Sequence, residues 1–363
     1  MFANLLPRYP EIKADLGLSN AMYGVAVAAF SIGALISGPW AGVLLRRFRS
    51  ARVAVWGSGG IAVFEWLAGV APSAVTFAAA LFVAGAADAV TDVAQNAQGL
   101  RVQRSYGRSI INSFHAVWSV GAILGGAMGA VAIALHIPRG PHMAASAVLF
   151  AGMCALAYRF LLPGPEEKAA ARVPVSRAGF RTATYAVLAA LVTMAIASAV
   201  VEDSGSSWAT LYLRELGAPG ALAVSGYIAA VGFQFVGRLV GDRLVDVFGQ
   251  RAVARTGGVI AAAGMGLALA FPSVPAVIAG FGAAGFGVAT LFPATLQRAD
   301  ELPGLKPGTA LTAVTWLMRV GFVSAPMIVG ALADAYSLRV GLLTVPAAGV
   351  VVIVLAGALA RRR

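Results

Sequence analysis

Apolar runs of 18 or more residues recur along the whole of this sequence, and that recurrence restricts the possible folds more than any other feature. Each run is long enough to cross roughly 30 Å of hydrocarbon as a helix. Inside a bilayer every backbone N–H and C=O must be satisfied by the protein itself, which favours helices over open strands. Charged residues occupy only 12% of the 363 positions, against about 25% in an ordinary soluble domain. Mean hydropathy is +0.82. No hydrophilic stretch is long enough to fold as a soluble domain. The chain therefore reads as an all-α integral membrane protein, multi-pass in the cell (inner) membrane, with lipid as its solvent.

Runs bounded by Gly, Pro and charge place spans near 20–45, 52–71, 74–98, 109–135 and 142–162. Further spans lie near 184–203, 220–241, 252–271, 274–296, 308–333 and 339–360, eleven in all. The basic residues orient them. If the connection at 46–52 is cytoplasmic, so are Arg46, Arg47, Arg101, Arg104, Lys168, Arg172, Arg243, Arg251 and the C-terminal arginines. Arg8, Lys13, Arg139, Arg214 and Arg339 fall outside. This asymmetry satisfies the positive-inside rule, with residue 1 outside and the C-terminus inside.

The net charge of +12 does not point to nucleic acid. Nucleic-acid binding needs Lys and Arg gathered on one exposed face, whereas here they sit in short connections between spans. Cys154 is the single cysteine and there are three histidines, so the expectation is no disulfide framework, no metal site and no cofactor. The opening MFANLLPRYPEIK lacks the basic and apolar regions of a cleavable signal.

A repeat with an offset of 200 runs through the chain. Leu16-Gly17 matches Leu216-Gly217, and Phe48, Val53, Ala54 and Gly57 match Phe248, Val253, Ala254 and Gly257. Pro72-Ser73 matches Pro272-Ser273, and Val120-Gly121 matches Val320-Gly321. Any one match is chance-level in so biased a composition, but a shared register held over this distance is not. The halves are 1–162 and 184–363, joined by a cytoplasmic linker at 163–183. Parallel six-span halves are a known transporter plan. The counterpart of span 184–203 should lie near positions −16 to 3, so the first half is expected to lack its first helix.

The fragment GVLLRRFRSAR at 42–52, and more clearly GDRLVDVFGQR at 241–251, resemble the cytoplasmic loop signature of the major facilitator superfamily. The resemblance covers essentially the whole chain. It implies two homologous six-helix halves and a conformational role for Gly241, Asp242, Arg243, Asp246, Gly249 and Arg251. The first copy departs from the pattern, with Arg46 where the acid belongs and Arg49 where a glycine belongs. DVAQN at 92–96, YGRSIINSFHAVWSVGAILGG at 106–126, WATLYLRE at 208–215 and GRLVGDRL at 237–244 resemble the fucose-permease-like branch. In that branch an acid commonly precedes the tryptophan, where this chain has Ser207. Some members resemble sugar–proton symporters.

Ionisable groups within spans cost about 2.5 kcal/mol or more at the bilayer centre, so each needs a reason. Asp88, Asp92 and Asn96 recur every four residues and share one helical face. Asn112, His115 and Ser119 share another. The functional reading is a midplane site with proton coupling at Asp92, Asp88 and Glu65. Its substrate-binding residues would be Asn96, Asn112, His115, Trp118, Glu202, Trp316 and Arg319. The competing reading is a hydrogen-bond network that only ties helices together. His115 is the one histidine well inside a predicted span, and its ordinary pKa suits proton coupling. Trp118 and Trp316 offer faces for a sugar ring, while Trp208 and Tyr212 fit an interfacial belt better. Arg319 stands where the repeat has Ser119, and must either pair with an acid or bind an anionic substrate. Gly121, Gly125 and Gly129 allow close helix packing.

These readings favour a monomeric secondary transporter whose partners are a small polar solute such as a sugar, protons and the lipid bilayer. An efflux carrier, or a transport-inactive receptor or scaffold on the same fold, is the alternative. A membrane enzyme would need a nucleophile–base pair or metal cluster, and no such pattern occurs in the sequence.

Overall fold

The computed structural model describes residues 1–107, 111–164, 182–302, 305 and 309–360. Among them the chain is helical, and it divides into two compact units, Met1–Ala170 and Ala171–Arg363. The first unit contains α1 (Phe2–Leu5), α2 (Tyr9–Asp15), α3 (Asn20–Ser37), α4 (Ala41–Phe48) and α5 (Ser50–Gly69). It continues with α6 (Ala74–Tyr106), α7 (Ile111–Ala134) and α8 (Arg139–Ala157). The second unit contains α9 (Thr182–Asp203), α10 (Ala209–Glu215), α11 (Gly220–Ala223), α12 (Ser225–Phe248) and α13 (Gln250–Ala270). After these come α14 (Val274–Val288), α15 (Leu291–Asp300), α16 (Thr309–Ala335), α17 (Leu338–Gly341) and α18 (Thr344–Leu355).

Ten helical stretches among the described residues are long and apolar enough to cross a membrane. The span expected at 52–71 is also a helix, α5, whose 20 residues reach about 30 Å. Its Arg52, Glu65 and run of Gly and Ser make it less apolar than the ten.

The repeat is visible element by element. Ser73 and Ser273 cap α6 and α14 in the same way, accepting from the backbone N–H of Thr76 and Ala276. Gly85 brings α6 against the Phe30 carbonyl of α3, and Gly285 brings α14 against the Ala230 carbonyl of α12, so a β-carbon at either would collide with backbone. Arg49 and Gly249, between α4 and α5 and between α12 and α13, share one conformation (φ 68°, ψ 146° and φ 79°, ψ 153°). That region is tolerated by glycine and strained for arginine.

The N-terminal segment corrects one expectation. Residues 2–15 are helical, and residues 3–10 and Ile12 are buried, with Leu5, Tyr9 and Ile12 each no more than 1% exposed. At the offset of 200 they lie opposite 202–215, the second part of the stretch Thr184–Glu215. The first unit therefore does contain the second part of its first helix, where the sequence reading placed none. Pro7 and Pro10 withhold the N–H groups a continuous helix would use. The segment accordingly breaks into α1, a 3₁₀ turn at Leu6–Arg8 and α2. In the second unit the corresponding turn, Ser204–Trp208, is a π-helix.

Packing explains why the segment stays. α1 lies on α7 and also touches α5 and α8. A β-carbon at Gly125 would stand 2.9 Å from the β-carbon of Ala3, and one at Gly129 would stand 2.6 Å from Pro7 Cγ. Two glycines of the predicted packing stripe thus seat this segment, whereas Gly121 meets nothing. Tyr9 stacks edge-on with Tyr23 and Phe77, at 5.8 Å and 6.0 Å between ring centroids.

Candidate functional site

In the first unit, α6 carries the predicted polar face. Asp88 and Asp92 are exposed and Asn96 is half-buried. The Asn96 amide donates to the Asp92 carboxylate (Nδ2 to Oδ1, 3.0 Å) and to the Asp92 carbonyl (2.9 Å). The four-residue spacing that sets them on one helical face also brings these two side chains together. Farther along α6, Gln98 and Arg101 bond the Leu162 carbonyl instead.

Glu65 lies on α5, which packs against α6, within electrostatic reach of Asp88. It is fully buried, and neither carboxylate oxygen has a hydrogen-bond partner among the described residues. The side chains of Asn112 and His115 lie outside the described residues. Trp118, one turn beyond His115 on α7, is exposed, and Ser119 is buried. A hollow of about 500 Å³ in this unit is lined by apolar groups including Trp40, Phe48 and Trp56 and by none of the predicted site residues.

A second polar cluster in this unit escaped the sequence reading. The basic-residue pattern predicts an external connection at Arg8, yet that residue is 3% exposed. Its Nε donates to His142 Nδ1 (3.3 Å), its Nη1 pairs with Glu11 (3.0 Å) and its Nη2 donates to the Ile137 carbonyl (2.8 Å). Since arginine can only donate, His142 Nδ1 must accept. Its Nε2 then carries the proton towards Asn4 Oδ1, 2.8 Å away. Asn4 Nδ2 in turn donates to Ser146 Oγ at 3.1 Å. His142 is thus a buried span histidine. The available signal was the spacing of Asn4, Arg8 and Glu11, which puts three polar groups on one helical face.

In the second unit, Glu202 is half-buried near the end of α9 and borders a small cavity. Asp203 is 6% exposed. Its Oδ1 accepts from the Ser207 hydroxyl at 3.1 Å, and its Oδ2 has no partner among the described residues. Trp208 and Tyr212 are buried in the core, not interfacial as expected. The π-turn is the reason. It rotates the chain between α9 and α10 so that the indole of Trp208 enters the core.

On α16, Trp316 is exposed and Arg319 half-buried. Arg319 makes no ion pair or side-chain hydrogen bond among the described residues. The loop motif lies at the junction of α12 and α13. Gly241 is buried against Thr290, while Asp242, Arg243, Asp246, Gly249 and Arg251 are exposed. Among the described residues no group of three or more His, Cys, Asp and Glu side chains forms a metal-binding cluster. The chemistry on offer is that of carboxylates, amides, indoles and the guanidinium of Arg319.

Comparison with known proteins bears on these sites. The family model described as Major Facilitator Superfamily matches residues 1–244. A protein described as an uncharacterized transporter, y4wD of Sinorhizobium fredii, is 31% identical over 333 residues, covering 92% of this chain and 87% of its own. The membrane protein MosC of Rhizobium meliloti is 28% identical over 344 residues, covering 94% and 83%. Among solved structures, the nucleoside transporter NupG superposes with a TM-score of 0.75 at 12% identity, covering 99% of this chain and 98% of its own.

Proposed function

The chain belongs to the major facilitator superfamily, and we propose that it moves a small polar solute such as a sugar across the cell (inner) membrane by proton-coupled alternating access. The coarser statement, a multi-pass secondary transporter of small solutes and not an enzyme, follows from the family itself. The finer one rests on the Asp92–Asn96 pair above all. An ionisable carboxylate hydrogen-bonded to an amide, on the exposed face of a helix apolar enough to cross the bilayer, has little reason to face lipid. It suits a water-accessible route in which Asp92 exchanges a proton and Asn96 contacts the solute.

Asp88 and Glu65 belong to the same proposal as further proton-carrying groups. Asn112, His115, Trp118, Trp316 and Arg319 are its solute contacts, the indoles stacking on a ring and the guanidinium holding an anionic or hydroxyl group. A monomer with both ends of 163–183 at the cytoplasmic side completes the picture. The sugar preference comes from the fucose-permease-like stretches. The nucleoside transporter contributes a fold, and at 12% identity it carries no substrate.

Asp92→Asn keeps the shape and removes the titratable charge. In proteoliposomes with an imposed proton gradient it is expected to abolish concentrative uptake while leaving solute exchange. Concentrative uptake equal to the parent's would show Asp92 to be structural. A parent without flux of any tested sugar, nucleoside or organic acid would favour a receptor or scaffold.

A further inference from the structure

The second unit contains a cavity that no solute could enter. It is bordered by Val201, Glu202 and Ser206 from the first helical stretch, by Ala230, Val231 and Gln234 from α12, and by apolar residues of α14. The room for the centre of a water-sized particle is about 20 Å³. A cavity holds one water from about 10–15 Å³ upward, so this one takes a single particle.

Each polar residue around it carries a side-chain oxygen. Glu202 is a carboxylate that makes no ion pair or side-chain hydrogen bond among the described residues. Ser206 directs its hydroxyl proton back to the carbonyls of Glu202 and Asp203, at 3.2 Å and 3.0 Å, which leaves its lone pairs available. Gln234 is 5% exposed and makes no hydrogen bond among the described residues, although it borders the cavity. An amide buried this deeply normally has a partner. The cavity also adjoins the π-turn at Ser204–Trp208, and such turns are frequent at functional sites.

Charge decides what the particle is. Glu202 is the acid at the cavity wall, and it is not paired with a basic side chain among the described residues. A water molecule would satisfy hydrogen bonds and leave the negative charge uncompensated in a low-dielectric setting, which is costly. A hard cation takes oxygen ligands and removes that cost. Only one carboxylate borders the cavity, too few to suit a divalent ion, and among the described residues no carboxylate cluster exists to hold one.

We infer that Glu202, Ser206 and Gln234 form a binding site for one dehydrated sodium-sized monovalent cation within the second unit. This revises Glu202 from a solute contact to a cation ligand. It rests on the transporter reading only for its consequence in transport, because binding can be measured on its own.

The test uses the purified full chain in detergent, with choline replacing sodium at constant ionic strength. Radioactive sodium is expected to bind saturably, to be displaced by lithium but not by choline, and to raise the melting temperature. Glu202→Gln and Gln234→Leu are each expected to weaken binding roughly tenfold or more, about 1.4 kcal/mol. Asp300→Asn, at the end of α15, is expected to leave it unchanged. Two independent variants keep the test decisive should one fail to fold. Absence of saturable sodium binding by the parent overturns the site, and so does full binding by either folded variant. Proteoliposomes without solute flux would count against the transporter reading while leaving a positive binding result intact.

Discussion

At the scale of single residues, Glu65 and Met265 show how one repeat position was used in two ways. Met265 is fully buried in the second unit, and Glu65 is fully buried at the matching place in the first. A carboxylate without hydrogen-bond partners has no stabilising role to offset its burial. Glu65→Met is therefore expected to raise the melting temperature and, if Glu65 carries protons as proposed, to reduce gradient-driven uptake. A variant less stable than the parent would mean that Glu65 has a partner its neighbours supply. Arg49 provides a cleaner case. It holds the backbone conformation of Gly249 without glycine's freedom, at a strain of about 1–3 kcal/mol. Arg49→Gly should gain about 1 kcal/mol net, after the extra freedom of glycine in the unfolded chain is counted. Denaturation in mild detergent measures this, and unchanged or lowered stability contradicts it.

At the scale of elements, the seating of residues 2–15 combines glycine contacts with a buried polar chain. Gly129→Val would drive a branched side chain into Pro7 and is expected to displace the segment. His142→Leu removes the acceptor for Arg8 Nε and the group facing Asn4 Oδ1, at about 1–3 kcal/mol for buried groups left unsatisfied. Both variants should expose a cysteine placed at Ile12, now 1% exposed, to thiol reagents. Labelling as slow as in the parent background would show that the segment is held by other contacts. In the second unit Trp208 and Tyr212 are buried at this place.

At the scale of the whole molecule, the arrangement across the membrane is the matter to test. From the basic connections we propose that 163–183 is cytoplasmic and the Gly217 turn external. In a background with Cys154 replaced, an impermeant reagent on intact cells should modify a cysteine at position 217 and not one at 169. Labelling of position 169 from outside would invert the proposed orientation.

The repeat, the helical class and the family were legible in the sequence because each is written many times over. Hydrophobic length recurs span after span, and a register of 200 is sampled at many positions. The proximity of Asp92 and Asn96 was legible too, since their bond joins residues four apart on one helix. Arg8 and His142 were not, because their contact spans 134 residues and no local pattern encodes which helix lies beside which. The same holds for Glu202. Its sequence neighbours suggested a solute contact, but the size of the space before it depends on Gln234 and on α14. Periodicity determines which residues share a face. Only the packing of helices distant in sequence decides what that face meets, and there a carboxylate becomes isolated, paired or a ligand.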